Sequence, residues 1–390
     1  MSRRPIDLSP DLLRLQNEGF DIAVREGLLL VRSVPYVDAN RTVQRGTLIS
    51  KLKLSADKTE TPDDHVAYWT GSHPCHADGT VIGSIQNPSA PHQLTADIRA
   101  DFTFSAKAAY RDYHHKMTTY IGRITGEATK IDSEASAHVY PPIPSDEESD
   151  VFKYVDTASS RAGIGAINAR LAGHRVGIVG LGGSGAYVLD FVAKTKVAEI
   201  HIFDADVFSQ HNAFRAPGAP TLDQLAARSP KVEYFRAIYS NMRKGIIVHD
   251  IFLDETNLQL IDRLDFVFLC MDRGEQKRAI VDRLVANKTS FVDLGMGVVL
   301  SAGRLGGIVR VTTSTPETRE KAAPHISFSD NDGEANEYAT NIQIPELNAV
   351  NAAFAVIRWK KVFGLYQDIR EDFFSGYSIP SGEIVTEGLL

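Results

Sequence analysis

The alternation of apolar and polar positions divides the chain into two textures. Over residues 8–140, short apolar runs such as Leu28-Leu29-Leu30-Val31 and Phe102-Thr103-Phe104 are separated by turn material like Asp78-Gly79 and Asn87-Pro88. That pattern leans towards strands and reads as an α+β domain. Residues 141–150 are proline-rich and acidic, which favours extended, solvated chain. Beyond them, apolar runs at 175–180, 200–203, 266–270 and 291–294 alternate with helical spacing at 186–194 and 275–287. Strand alternating with helix predicts a parallel sheet covered on both faces. A further strand is expected at 306–312, then a polar stretch over 313–340. A helix opened by Pro345-Glu346 and closed by Gly364 should follow, and from Ser375 the aperiodic end reads as a tail.

The expected fold is therefore α/β, a doubly wound, mainly parallel sheet of Rossmann type, preceded by a smaller α+β domain. The expected divisions are 1–143, a linker at 144–154, the sheet domain at 155–370 and a tail at 371–390. Composition agrees with an ordinary globular protein, at 43% hydrophobic and 23% charged residues. A net charge of -7 gives no whole-chain footprint for nucleic acid or anionic membrane. Two cysteines, Cys75 and Cys270, lie far apart and outside any CxxC pair, which excludes a disulfide framework and a four-cysteine zinc site. With no apolar run of 18 residues or more and no leader pattern, a soluble cytoplasmic protein is expected.

The chemistry begins at Gly180-Leu181-Gly182-Gly183-Ser184-Gly185. This run fits G-x-G-x-x-G, with a predicted strand before it and a helix after it. Such glycines allow a tight turn and let backbone N–H groups approach a phosphate at a helix N-terminus. An acid at the end of the second strand, Asp204, is placed to hydrogen-bond a ribose. These features alone suggest NAD. The polar cluster that follows, with Asp206, Asn212 and Arg215, lies where ligands bind in such sheets, and a plain dehydrogenase has no need of it. Arg215 and Lys231 supply a cation pair for phosphate charge, and Asp272 supplies a carboxylate for Mg²⁺.

With these elements in order, residues 155–370 resemble the ThiF/MoeB/HesA adenylyltransferase superfamily, to which the ubiquitin-activating enzymes belong. The whole chain resembles bacterial members with an extra N-terminal domain, found as the activating component of ubiquitin-like conjugation systems. The resemblance implies that the C-terminal carboxylate of a ubiquitin-like protein attacks the α-phosphate of ATP. By the same carry-over Asp204 holds the ribose, Asn212 orients the phosphate chain, Arg215 and Lys231 bind phosphates, and Asp272 binds Mg²⁺. Arg161 stands where the family reaches the nucleotide of a second subunit, which implies a homodimer. Charge builds on phosphate oxygens in transit, so fixed cations there stabilise the transition state, and the attacking carboxylate needs no general base.

Three departures qualify the resemblance. Arg273 follows Asp272 where many members have Asn, and the CxxC zinc pairs of some members are absent. The stretch 312–340 also lacks the cysteine that thioester-forming members carry. Either the enzyme stops at the adenylate, or a hydroxyl takes the acyl group as an oxyester. Ser314, Ser327 and Ser329 are the candidates, with His325 near Ser327 as a possible base. Cys270 reads as a small buried hydrophobe. Two further alternatives stay open. An NAD-dependent oxidoreductase leaves Arg215, Lys231 and Asp272 without a task, and a scaffold could retain nucleotide without acyl transfer.

Seven of the twelve histidines precede residue 140. His65, His73, Cys75 and His76 have atom types that suit zinc, but their spacing fits no standard structural site. Tyr68, Trp69, Tyr110, Tyr113 and Tyr120 read as core or domain-interface aromatics. Docking of the ubiquitin-like substrate, or of a ubiquitin-conjugating-type enzyme, is the role expected of this domain.

Overall fold

A computed structural model describes residues 4–88, 90–145, 150–271, 274–328 and 342–390. The chain forms two compact units, divided between Asp146 and Glu147. In the first, helices α1 (Arg4–Leu8) and α2 (Pro10–Asn17) lead into an antiparallel sheet. Its strands are β1 (Asp21–Arg25), β2 (Leu28–Val37), β3 (Val43–Lys51), β4 (Val66–Thr70), β5 (Gln86–Asn87) and β6 (Phe102–Ser105), in the order β1-β2-β3-β4-β6-β5. Helix α3 (Tyr113–Ala128) packs on β2. It starts where the Asp112 carboxylate accepts the His115 N–H at 2.7 Å, so one of the helix's unpaired donors is capped. Met117, Tyr120, Ile121 and Ile124, at helical spacing, meet Leu29, Val31, Trp69 and Phe104 in one core. The five aromatics named above are all buried.

The histidine-rich stretch after β4 is held by ordinary contacts. The Cys75 thiol lies 3.4 Å from the His73 carbonyl, and the His73 ring packs edge-on to Phe102 and Phe104. Glu127, in the last turn of α3, accepts from the Lys130 ammonium at 2.8 Å and the Ala77 N–H at 3.1 Å, with the His76 ring at 3.2 Å. Lys130 foremost, then these donors, pull Glu127 from an ordinary 4.5 to about 2. The folded state therefore holds this proton less tightly than the unfolded state. The resulting stability is present above pH 4.5 and is lost as pH falls towards 2. Glu127→Gln should lower unfolding stability by about 1 kcal/mol at pH 7, and the gap from wild type should shrink below pH 4.5. Urea titrations at pH 7 and pH 3 check this; equal gaps at both pH values would contradict it.

The second unit is already engaged by Val151 and Lys153, which hydrogen-bond the Met242–Lys244 turn. Helix α4 (Thr157–Ala162) precedes an eight-stranded sheet. The strands are β7 (Arg175–Val179), β8 (Glu199–Phe203), β9 (Ile246–His249), β10 (Phe266–Leu269), β11 (Ser290–Ser301), β12 (Arg304–Ser314), β13 (Asp372–Ser378) and β14 (Ile384–Gly388). The order is β9-β8-β7-β10-β11-β12-β13-β14, parallel from β9 to β11 and antiparallel beyond. Consecutive residues of β10 alternate between two cores. Phe266 and Phe268 join Leu189, Val192 and Trp359, while Val267 and Leu269 join Ile280, Leu284 and Phe291. Both faces are thus buried, as the continuous apolar runs predict. The covering helices include α5 (Gly183–Ala193), the short α6 (Gln210–Ala213), α7 (Lys231–Tyr239), α8 (Gly274–Ala286) and α9 (Pro345–Val362). Helix α9 packs on α5, β11 and β12.

The sequence expectation of a tail is corrected. Phe373 and Ser375 are buried, and Arg358 of α9 donates to the Asp372 carbonyl at 2.7 Å, so the segment is drawn in as strands β13 and β14. The stretch after 312 is also less open than its composition suggests. Thr313 and Ser314 end β12 fully buried, and a short turn of helix covers Arg319–Ala322. Among the described residues no helix is long and apolar enough to cross a membrane.

Candidate functional site

Strand β7 lies in the middle of the sheet, with β8 on one side and β10 on the other, so the chain reverses its direction of progression there. Ligands bind in such sheets at this switch point, outside the carboxyl ends of the strands. Gly180 leaves β7 with φ +89°, and a Cβ on it would stand 2.6 Å from the Cys270 carbonyl oxygen. Only glycine accepts both conditions. Gly182 then caps α5, and a Cβ there would meet nothing within 4 Å. The first N–H groups of α5 face this opening without intrahelical acceptors, which suits an anion.

The acids expected at this end of the sheet are present and already engaged. Asp204, 6% exposed, accepts the Leu181 N–H at 2.6 Å on one oxygen and the Asp206 N–H at 2.8 Å on the other. Lys231, 4% exposed at the start of α7, sets its ammonium 3.3 Å from Asp204 and 2.6 Å from Asp206. A carboxylate offers about four acceptor positions, so Asp204 keeps at most one for a ribose hydroxyl. Its structural task here is to lock the glycine turn onto β8. Lys231 offsets the two carboxylates.

Asn212 lies in α6. Its carbonyl oxygen accepts the Ser209 N–H at 2.8 Å, so the amide nitrogen faces away from the cap. That nitrogen is buried and has no hydrogen-bond acceptor among the described residues. An orphaned buried donor of this kind fits a phosphate oxygen. His211, next to it, is held below its ordinary pKa by burial first and then by the charges of Arg215 and Lys231.

Residues Gly180, Gly182, Gly183, Gly185, Asp204, Asp206, Asn212, Arg215 and Lys231 thus gather around the carboxyl ends of β7 and β8. Asp272 and Ser329 lie outside the described residues. Arg161 is exposed on α4. Ser327 is half-buried just past a 3-10 turn, Ala323–His325. His325 directs Nε2 to Glu387 of β14 at 3.3 Å, and its ring lies 4.4 Å from that of Phe374. Ser314 is buried at the end of β12, near Arg319. Cys270 is half-buried under the glycine turn.

Two features escaped the sequence reading. Asn348 of α9 contacts Ser184 of the glycine turn from 164 residues away and Arg215 from 133. Asp293, 0% exposed in β11, forms a buried ion pair with Lys277 of α8, with Arg310 at 3.7 Å. This pair fastens the start of α8, which directly follows residues 272–273, to the sheet. A lone acid in Phe291-Val292-Asp293-Leu294 was the available signal, because an aspartate inside an apolar strand needs a cation.

Comparison with known proteins adds the following. The ThiF family matches residues 161–375, more than half of the chain, and a domain of unknown function, DUF6791, matches residues 10–157. No curated protein sequence matches significantly. Similar solved structures include selenomethionine PaaA, 15% identical, covering 58% of this chain and 76% of that one with a TM-score of 0.43. E. coli MccB with ATP is 16% identical, covering 59% and 67% with a TM-score of 0.44. E. coli MccB with selenomethionine MccA is 16% identical, covering 60% and 69% with a TM-score of 0.45.

Proposed function

Because the chain belongs to the ThiF family, we propose that this adenylyltransferase uses ATP to activate the C-terminal carboxylate of a ubiquitin-like protein in a bacterial conjugation system. A carboxylate oxygen attacks the α-phosphorus, the bond from that phosphorus to the bridging oxygen breaks, and pyrophosphate leaves with the electron pair. The product is an acyl-adenylate. The observation that carries the reading is the meeting of an open glycine turn, the orphaned Asn212 donor and the Arg215 and Lys231 cations at one end of the sheet.

The protein's part is positioning and charge. The α5 N–H groups and the Asn212 amide receive phosphate oxygens, and Arg215 offsets the charge that grows on them. Lys231 keeps Asp204 and Asp206 from repelling the nucleotide. Asp272 is the residue proposed to hold Mg²⁺, which would neutralise phosphate charge. In a homodimer Arg161 would serve the nucleotide of the second subunit. The first unit would dock the ubiquitin-like protein or a conjugating-type enzyme, and Ser327 or Ser329 would take the acyl group if an oxyester forms.

Calorimetry with ATP·Mg²⁺ and separately with NAD tests the nucleotide, and pyrophosphate exchange tests the reaction. ATP should bind and NAD should not; NAD binding without ATP would transfer the site to an oxidoreductase. Exchange should depend on a ubiquitin-like protein with a free C-terminal carboxylate and vanish when that carboxylate is amidated. Arg215→Ala should slow exchange by roughly 10²- to 10³-fold, the usual cost of losing one charge-stabilising donor. Full exchange in that variant would remove Arg215 from the reaction.

A further inference from the structure

The motif accounts for Gly180, Gly182 and Gly185 but makes no demand at Gly183. A Cβ on Gly183 would stand 2.0 Å from the Asn348 amide nitrogen and 2.4 Å from its Cγ. The glycine is therefore required by a side chain of α9. That side chain, 1% exposed, is used at both ends. Its carbonyl oxygen accepts the Ser184 hydroxyl at 2.9 Å, and its nitrogen donates to the Arg215 carbonyl at 3.3 Å. An amide offers an acceptor and a donor on one planar group; aspartate would turn a carboxylate towards the Arg215 carbonyl, and alanine would leave Ser184 and that carbonyl apart.

We propose that Asn348 is a positioning residue for adenylation, which bridges the glycine turn and the Arg215 backbone so that the α5 N–H groups and the Arg215 guanidinium address one triphosphate together. This rests on the reading of Arg215 as a phosphate cation. Asn348 itself is enclosed by α9, α5 and the turn after α6, so it acts through Arg215 and the turn.

The test is titration of the full-length protein with ATP and, separately, with adenosine, which lacks the phosphates. N348A should weaken ATP about ten-fold while adenosine stays within about two-fold of wild type. S184A, which removes one hydroxyl and keeps the fold if N348A does not, should weaken ATP about three-fold with the same selectivity. In the R215A background N348A should cost clearly less than it does in wild type, because its effect through the guanidinium is already gone while its hold on the turn remains. Equal losses for ATP and adenosine, full additivity with R215A, or no effect of S184A on ATP would overturn the proposal. If R215A alone leaves ATP binding unchanged, the phosphate role of Arg215 falls first, a result distinct from additivity.

Discussion

Lys231→Ala should abolish ATP binding and cost about 3 to 5 kcal/mol of stability, the range for breaking a buried ion pair by removing one partner. The ammonium is almost fully enclosed and lies within 3.3 Å of Asp204 and 2.6 Å of Asp206. Without it Asp204 would keep two backbone N–H partners, but its charge would be uncompensated in a site built for an anionic ligand. Against a total stability of about 5 to 15 kcal/mol for a domain, this is a large fraction. Chemical denaturation measures the loss. The pair K231M/D206N separates the two effects: it removes the ammonium and its nearer partner while Asp204 keeps both backbone donors, so part of the stability should return but no ATP affinity. An unchanged denaturation midpoint in Lys231→Ala would show that the buried pair has no energetic weight.

The second large effect lies in two glycines three residues apart. In Gly185→Ala the new Cβ would stand 1.9 Å from the Gly180 carbonyl oxygen, a backbone atom that cannot swing aside. The turn must open, the Leu181 N–H leaves Asp204, and nucleotide binding should fall at least about a hundred-fold, since small displacements of a binding site cost that much. In Gly182→Ala the Cβ meets nothing within 4 Å. That variant should unfold at the wild-type midpoint and still lose ATP, because the methyl occupies the opening that the phosphates are proposed to approach. Thermal melts with and without ATP distinguish the cases. If Gly182→Ala binds ATP as wild type does, the phosphate site is not at this opening.

The parts of the fold and site that were legible share one property, that their signals are local. The five parallel-sheet strands announced four of their number as apolar runs, and the glycine turn with Asp204 is a short stretch whose residue types are fixed by backbone geometry. The last two strands were not legible, because Ser375, Gly376 and Ser378 break the apolar period while buried partners from α9 and β12 supply the contacts that hold them. Strand β9 was missed because it is short, on the sheet edge and only half-buried. Asn348 could not be found from its own helix, where a buried asparagine looks like any polar interruption; Gly183 was the complementary clue, and only the packing joins them. Asp204 was legible as an acid at the end of β8, but its engagement by Leu181, Asp206 and Lys231 was not.

The separation between Gly183 and Asn348 sets an order of assembly. Closing the 164-residue span between Ser184 and Asn348 costs about 4 to 5 kcal/mol of chain entropy beyond a constant, recovered only when α9 packs. On a ribosome adding about 5 to 20 residues per second, the nucleotide turn emerges roughly ten to thirty seconds before the helix that braces it. Late in that interval the nascent chain carries every glycine and charge of the site while still lacking its brace. A chain cut short before Pro345 would stay in that condition, so nucleotide competence doubles as a report that synthesis has passed the final helix.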